Sequence, residues 1–165
     1  MYLIRDGRKE DLESVFGLIR ELAEFERAPE QVTNTVENMK KDGFGPNPAY
    51  HFYVVIKKTT GDIVGTAIYY YRYSTWKGKR LYLEDYIITE TERGKGAGKL
   101  LFERVMLKAA EENCTGMMWQ VLDWNDPAIN FYKKYDAEIE SGWYNCHLQM
   151  RQIKSLLKKN TIGKS

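Results

Sequence analysis

The chain is short of the residues that metal centres and disulfide frameworks require. It carries two cysteines, Cys114 and Cys146, and two histidines, His51 and His147. None of the four stands at zinc-ligand or paired-cysteine spacing, so no metal site and no disulfide scaffold is expected. No apolar run approaches the ~18 residues of a membrane span, and no N-terminal apolar stretch marks a secretory leader. A cytoplasmic protein without a membrane partner is the expectation. Charge of one sign is also lacking: 25 Lys and Arg stand against 23 Asp and Glu, a net charge of +2. That leaves no basic field to recommend a nucleic-acid partner. Internal repeats and low-complexity segments are absent too.

What is present fits a globular enzyme-sized domain. The 165 residues are 43% hydrophobic and 29% charged, enough to bury a core. A single domain over residues 1–160 is expected, with 161–165 as a flexible C-terminal tail at the Lys-rich end. Leu12, Val15, Phe16, Ile19, Leu22 and Ala23 recur at helical spacing and predict a helix over residues 9–26, stopped by Pro29. A shorter helix is predicted over 33–41. Three strand-like runs follow, at about 50–58, 63–73 and 79–89, separated by Thr60-Gly61-Asp62 and by Trp76 to Lys79. A long helix over about 96–112, a strand from Met117 to Leu122, a helix after Asn125 and Pro127, a last strand over 143–149 and a terminal helix complete the chain. Helices interleaved with a mostly antiparallel sheet place the fold in the α/β or α+β class.

The densest signal is ETERGKGAGKLLFERV, residues 90–105. Gly94, Gly96 and Gly98 alternate with other residues and run into an amphipathic helix. Exposed N–H groups at such a helix start suit an anion. The P-loop pattern does not fit, because position 93 is Arg and Leu100 stands where a metal-binding hydroxyl is needed. The dinucleotide pattern fails as well, with Lys99 or Leu101 at the third glycine position.

Arg93, Gly96 and Gly98, in R-x-x-G-x-G after a strand and opening a helix, resemble the acyl-CoA signature of the GNAT acetyltransferase superfamily. Asn125, Ala128, Phe131 and Tyr132 resemble a second GNAT pattern. The resemblance implies a mixed, mostly antiparallel central sheet flanked by helices and acetyl-CoA as co-substrate. Its pyrophosphate would lie on the backbone from Gly94 through Lys95, Gly96, Ala97, Gly98 and Lys99. Arg93, Lys95 and Lys99 would add positive charge. GLIRELAEFE, DGFG, YYYRYSTWKG, LYLED, LDWN and FYK, spread over most of the chain, narrow the likeness to the diamine acetyltransferase family. That family includes spermidine/spermine and thialysine N-ε-acetyltransferases. Ser74-Thr75 before Trp76 is similar to the thialysine branch; the polyamine branch has Asp-Pro there. Asp136 in place of a helix-ending Gly and Ser141 in place of an acid depart from the family pattern.

This likeness implies acetyl transfer to the primary amine of a small thialysine- or lysine-like substrate, directly within a ternary complex. The alternatives are a polyamine acetyltransferase or a non-catalytic acyl-CoA sensor. An alkyl amine arrives protonated at neutral pH, so a proton must leave before attack. The resemblance assigns deprotonation to Glu84 through water and the general acid to Tyr132. Backbone groups of Tyr86, Ile87 and Ile88 would serve the acetyl carbonyl and pantetheine. Asn125, Asp126, Pro127 and Ala128 would lie along the cofactor. Phe25, Glu26, Ser74, Thr75, Trp76, Glu84, Asp85, Met118, Trp119 and Gln120 would form the amine pocket. In a regular strand Glu84 and Asp85 point to opposite faces, so the family likeness predicts a β-bulge between them. It also implies a homodimer in which both subunits contribute to each amine site.

Overall fold

A computed structural model describes residues 1–162. Residues 163–165 of the expected tail lie outside that range. The described chain forms two compact units, Met1–Gln120 and the residues from Val121 onward.

The first unit is built on a five-stranded sheet: β1 (Tyr2–Asp6), β2 (His51–Lys57), β3 (Ile63–Ser74), β4 (Gly78–Ile88) and β5 (Met117–Trp119). The strands lie in chain order. Neighbours are antiparallel from β1 to β4, and β5 runs parallel to β4. Helix α1 (Leu12–Phe25) follows a 3-10 turn at Lys9–Asp11, and α2 (Val36–Gly43) begins at Thr35, whose hydroxyl accepts from the Asn38 N–H at 3.1 Å. Helix α3 (Ala97–Glu111) follows the glycine turn.

Helical periodicity decides which residues go inside. Leu12, Val15 and Phe16 on α1 meet Met39 on α2 and Phe52, Val54 and Ile68 on the sheet. On α3, Leu101, Phe102, Val105 and Ala109 are buried, and the helix packs across β1 to β4. Each fully buried Leu or Val contributes about 1.5–3 kcal/mol of apolar transfer. A buried acid ties β1 to α1: Arg5 reaches both Asp11 oxygens, at 2.6 and 2.8 Å, and the Arg8 N–H adds a third bond at 2.7 Å. These donors, led by the Arg5 guanidinium, hold the Asp11 carboxyl below its usual range.

In the second unit, α4 (Asp126–Lys133) and α5 (Met150–Ile162) are the regular elements among the described residues. Thr161 and Ile162, expected in the tail, continue α5. The expected strand over 143–149 does not form, and residues 137–149 carry no regular structure. Alternation marks a chain able to enter a sheet, but a strand exists only by pairing. The described part of this unit offers no strand to pair with.

Candidate active site

The bulge is at Glu84. Pairing of β3 with β4 runs from Gly65↔Ile88 to Ile68↔Asp85 and resumes at Tyr69↔Leu83, leaving Glu84 without a partner. One extra residue shifts the alternation of everything after it. Tyr86 meets Phe102 of α3, ring centres 5.8 Å apart, on one face of the sheet. Asp85 stands opposite Ile68, a member of the α1 core, on the other. Glu84 raises the pKa values of Tyr70, Tyr82 and Asp85 after their burial, so its carboxylate is electrostatically close to all three.

A third acid joins them. Burial, then Glu84, then Glu26 push the Asp85 carboxyl up to about 6. Glu26 itself is raised by desolvation, although much of the residue is exposed. It caps the C-terminus of α1, where the helix dipole already disfavours negative charge. Two raised carboxyls, Asp85 and Glu26, beside the Glu84 carboxylate are suited to a cation. Phe25 precedes Glu26 on α1, and the Arg93 guanidinium lies 5.1 Å from its ring centre.

Past Leu83 the other edge of β4 is free of sheet pairing among the described residues, because β5 matches only Leu81 to Leu83. Tyr86, Ile87 and Ile88 therefore lie on a strand with one open edge. Met118 and Trp119 occupy β5 and Gln120 follows it.

The glycine turn has the geometry its sequence promised. Gly94 and Gly96 take φ of +74° and +89°, and Gly96 caps α3 in the left-handed region. Gly98 is required for closeness: the Tyr86 hydroxyl donates to its carbonyl at 2.6 Å, and a Cβ there would stand 2.9 Å from that oxygen. Among the described residues, none accepts a hydrogen bond from the N–H groups of residues 94–99. A row of free donors at a positive helix end is an arrangement that suits an anion.

Arg93 is not a free cation beside this row. Its Nε donates to the Ile88 carbonyl at 2.9 Å, and its guanidinium lies 3.7 Å from Glu21 and over Phe25. Lys95 leans to Glu92 at 3.4 Å and Lys99 to Glu103 at 3.8 Å; both remain at the surface. Sequence reasoning missed Glu21. It accepts from the Thr89 hydroxyl and the Glu90 N–H, each at 2.8 Å, fastening the turn to α1.

Ser74, Thr75 and Trp76 are not brought to the acids. They form the β3–β4 hairpin tip, where Ser74 pairs with Gly78 and its hydroxyl accepts from the Lys77 N–H at 3.2 Å. Residues 78–84 of strand separate the tip from Glu84, roughly 20 Å at the usual rise. Trp76 is 90% exposed.

Within the second unit, the Asn125 side chain caps α4 by accepting from the Ala128 N–H at 3.3 Å, with Asp126 and Pro127 in the first turn. Tyr132 is buried on α4, and that burial pushes its phenol up to about 12. Asp136 takes φ of +55°, so the left-handed turn expected of a glycine survives the substitution.

A family model described as the acetyltransferase (GNAT) family matches residues 15–136. The chain belongs to the GNAT acetyltransferases. This GNAT chain is 35% identical to the thialysine N-epsilon-acetyltransferase of Bos taurus, over 95% of its own length and 98% of that protein. It is 33% identical to the spermidine/spermine N(1)-acetyltransferase-like protein 1 of Homo sapiens, over 87% of this chain and 22% of that one. Among solved structures, an aminoglycoside acetyltransferase from an uncultured soil metagenomic sample, in complex with sisomicin, superposes with a TM-score of 0.74. It covers 90% of the GNAT chain and 97% of its own at 18% identity, a likeness of fold alone. Among the described residues no helix is long and apolar enough to cross a membrane.

Proposed function

We propose that this acetyltransferase uses acetyl-CoA to acetylate the primary amine of a small, thialysine- or lysine-shaped substrate. The observation that carries the reading is the bulge at Glu84, beside which Asp85 feels both Glu84 and Glu26, a grouping of acids that suits a cationic amine. The likeness to thialysine N-epsilon-acetyltransferase over nearly the whole chain supports the substrate class.

The free N–H row from Gly94 to Lys99 fits the pyrophosphate of acetyl-CoA. Bound there, acetyl-CoA would supply a thioester carbonyl and a thiolate leaving group. Asp85 and Glu26 hold the ammonium, and Phe25 shields it. Glu84 accepts the ammonium proton through water, freeing the nitrogen lone pair. The open edge of β4 offers backbone N–H groups to the carbonyl oxygen as it gains charge. Tyr132, a phenol whose burial pushes it further up, to about 12, is the donor toward the departing sulfur. Asn125 to Ala128 line the pantetheine. Cys114 and Cys146 take no part, and the acetyl group passes without an acyl-enzyme.

In this reading residues 1–160 act as one catalytic domain, in the cytoplasm, as a homodimer. The hairpin tip bearing Ser74, Thr75 and Trp76 is too far along the strand to serve its own Glu84, which favours its serving a partner's site.

The test is thiol release from acetyl-CoA with thialysine, lysine, spermidine and putrescine, for the wild type and Tyr132→Phe. Turnover greatest with thialysine, and about a hundredfold slower in the variant, is expected. Preference for spermidine would reassign the substrate. Tight acetyl-CoA binding with no amine-dependent release would make the protein a sensor.

A further inference from the structure

Beside the free N–H row lies a carboxylate that an anion site does not explain. Glu92 is 5% exposed and stands just before the first glycine of the turn. Its Oε2 accepts from the Tyr2 hydroxyl at 2.6 Å, and its Oε1 accepts from Lys57 Nζ at 2.8 Å and Lys95 Nζ at 3.4 Å. Tyr2 opens β1 and Lys57 closes β2, and the two are paired across the ladder. Glu92 thus grips both ends of one rung at the sheet's far edge, away from the α1 side where Glu21 holds Thr89 and Glu90.

Left bare, a buried negative charge at this point would repel a pyrophosphate. Two lysines and a phenol offset it, and in doing so convert it into an anchor. The turn needs one. Three alternate glycines give it the greatest backbone freedom of any stretch of this length, and that freedom is lost when a ligand is gripped. Fixing the entry to the turn in advance reduces the loss on binding.

We propose that Glu92 is a positioning residue for cofactor binding, pinning the glycine turn to the Tyr2–Lys57 rung so that the N–H groups of residues 94–99 stand pre-formed. The inference rests on the reading of that turn as the pyrophosphate site. It ties the first residues of the chain to cofactor affinity, although they touch no part of the reacting centre.

The test uses the full chain and Glu92→Gln, which keeps the shape and removes the charge. CoA binding is measured by calorimetry, turnover by thiol release, and exchange of the backbone amides of residues 92–99 by mass spectrometry. Expected are a CoA Kd and an acetyl-CoA KM raised about tenfold, an unchanged kcat at saturation, and faster exchange in the free protein. Lys57→Met should raise KM by itself yet add little to Glu92→Gln, since both break one interaction. Unchanged affinity, or a fall in kcat at constant KM, overturns the proposal. If Glu92→Gln does not fold, Tyr2→Phe decides: a raised KM at constant kcat supports the anchor, and an unchanged KM refutes it. A wild type that does not bind CoA overturns the pyrophosphate reading itself. A wild type that binds while the variants bind equally well overturns the anchor alone.

Discussion

Asp85→Asn should make the protein more stable at neutral pH, an unusual result for removal of a candidate binding residue. Burial, reinforced by Glu84 and Glu26, lifts the Asp85 carboxyl from 3.8 to about 6. A group whose pKa is raised on folding stabilises the fold only while protonated. Its contribution is complete below the unfolded value and is lost as pH rises through the folded one. At about 1.4 kcal/mol per pH unit, the difference amounts to about 3 kcal/mol by pH 7.5. Urea denaturation of the wild type and the Asn variant at pH 4, 5, 6 and 7.5 measures it. The two curves should nearly coincide at pH 4 and diverge between pH 4 and 7, with the variant the more stable. Thialysine should narrow the gap, because an ammonium beside Asp85 restores a reason to ionise. A gap independent of pH, or a less stable variant at pH 7.5, would refute the claim that Asp85 is held against its burial and the charges of Glu84 and Glu26.

Acid should act in the opposite sense on Glu92, held at about 2 first by its bonds from Lys57 and Tyr2, and on Glu112, held at about 2 first by those from Lys108 and Lys79. Both carboxyls are lowered on folding, so their contribution is present above about pH 4.5 and lost as pH falls toward 2. Glu92→Gln should flatten part of that limb in an acid titration followed by circular dichroism. Gly98→Ala should destabilise by about 1–3 kcal/mol through crowding against the Tyr86 hydroxyl. Thermal denaturation should show Tyr86→Phe recovering part of the loss, because it removes the atom that is struck.

What the sequence made legible follows local physics. Leu101, Val105 and Ala109 recur along α3 and are buried there, and the glycines before that helix announced a turn that the structure supplies with free N–H groups. Alternation by itself put Glu84 and Asp85 on opposite faces; only the family likeness predicted the bulge that moves them. Glu21 and Glu92 left no trace in spacing. Their partners lie 68 and 90 residues away at Thr89 and Tyr2, and such contacts exist only after folding. Arg93 read as a cofactor cation because charge beside glycines is visible in sequence, whereas its bond to the Ile88 carbonyl is not. The strand expected over 143–149 failed for a related reason: its pattern describes one side of a pairing and says nothing of the other.

The extra residue at Glu84 is an insertion in the strand and not one of its rungs. Exchanging Glu84 for another amino acid removes one carboxylate and leaves its neighbours in phase. Deleting it would close the ladder into regular alternation, with Leu83 still opposite Tyr69 and Asp85 still opposite Ile68, so that Tyr86 keeps its place beside Gly98 and the strand loses one carboxylate and its kink. The bulge is therefore one residue of slack in β4, a place where the strand can shorten by one and keep its register with β3.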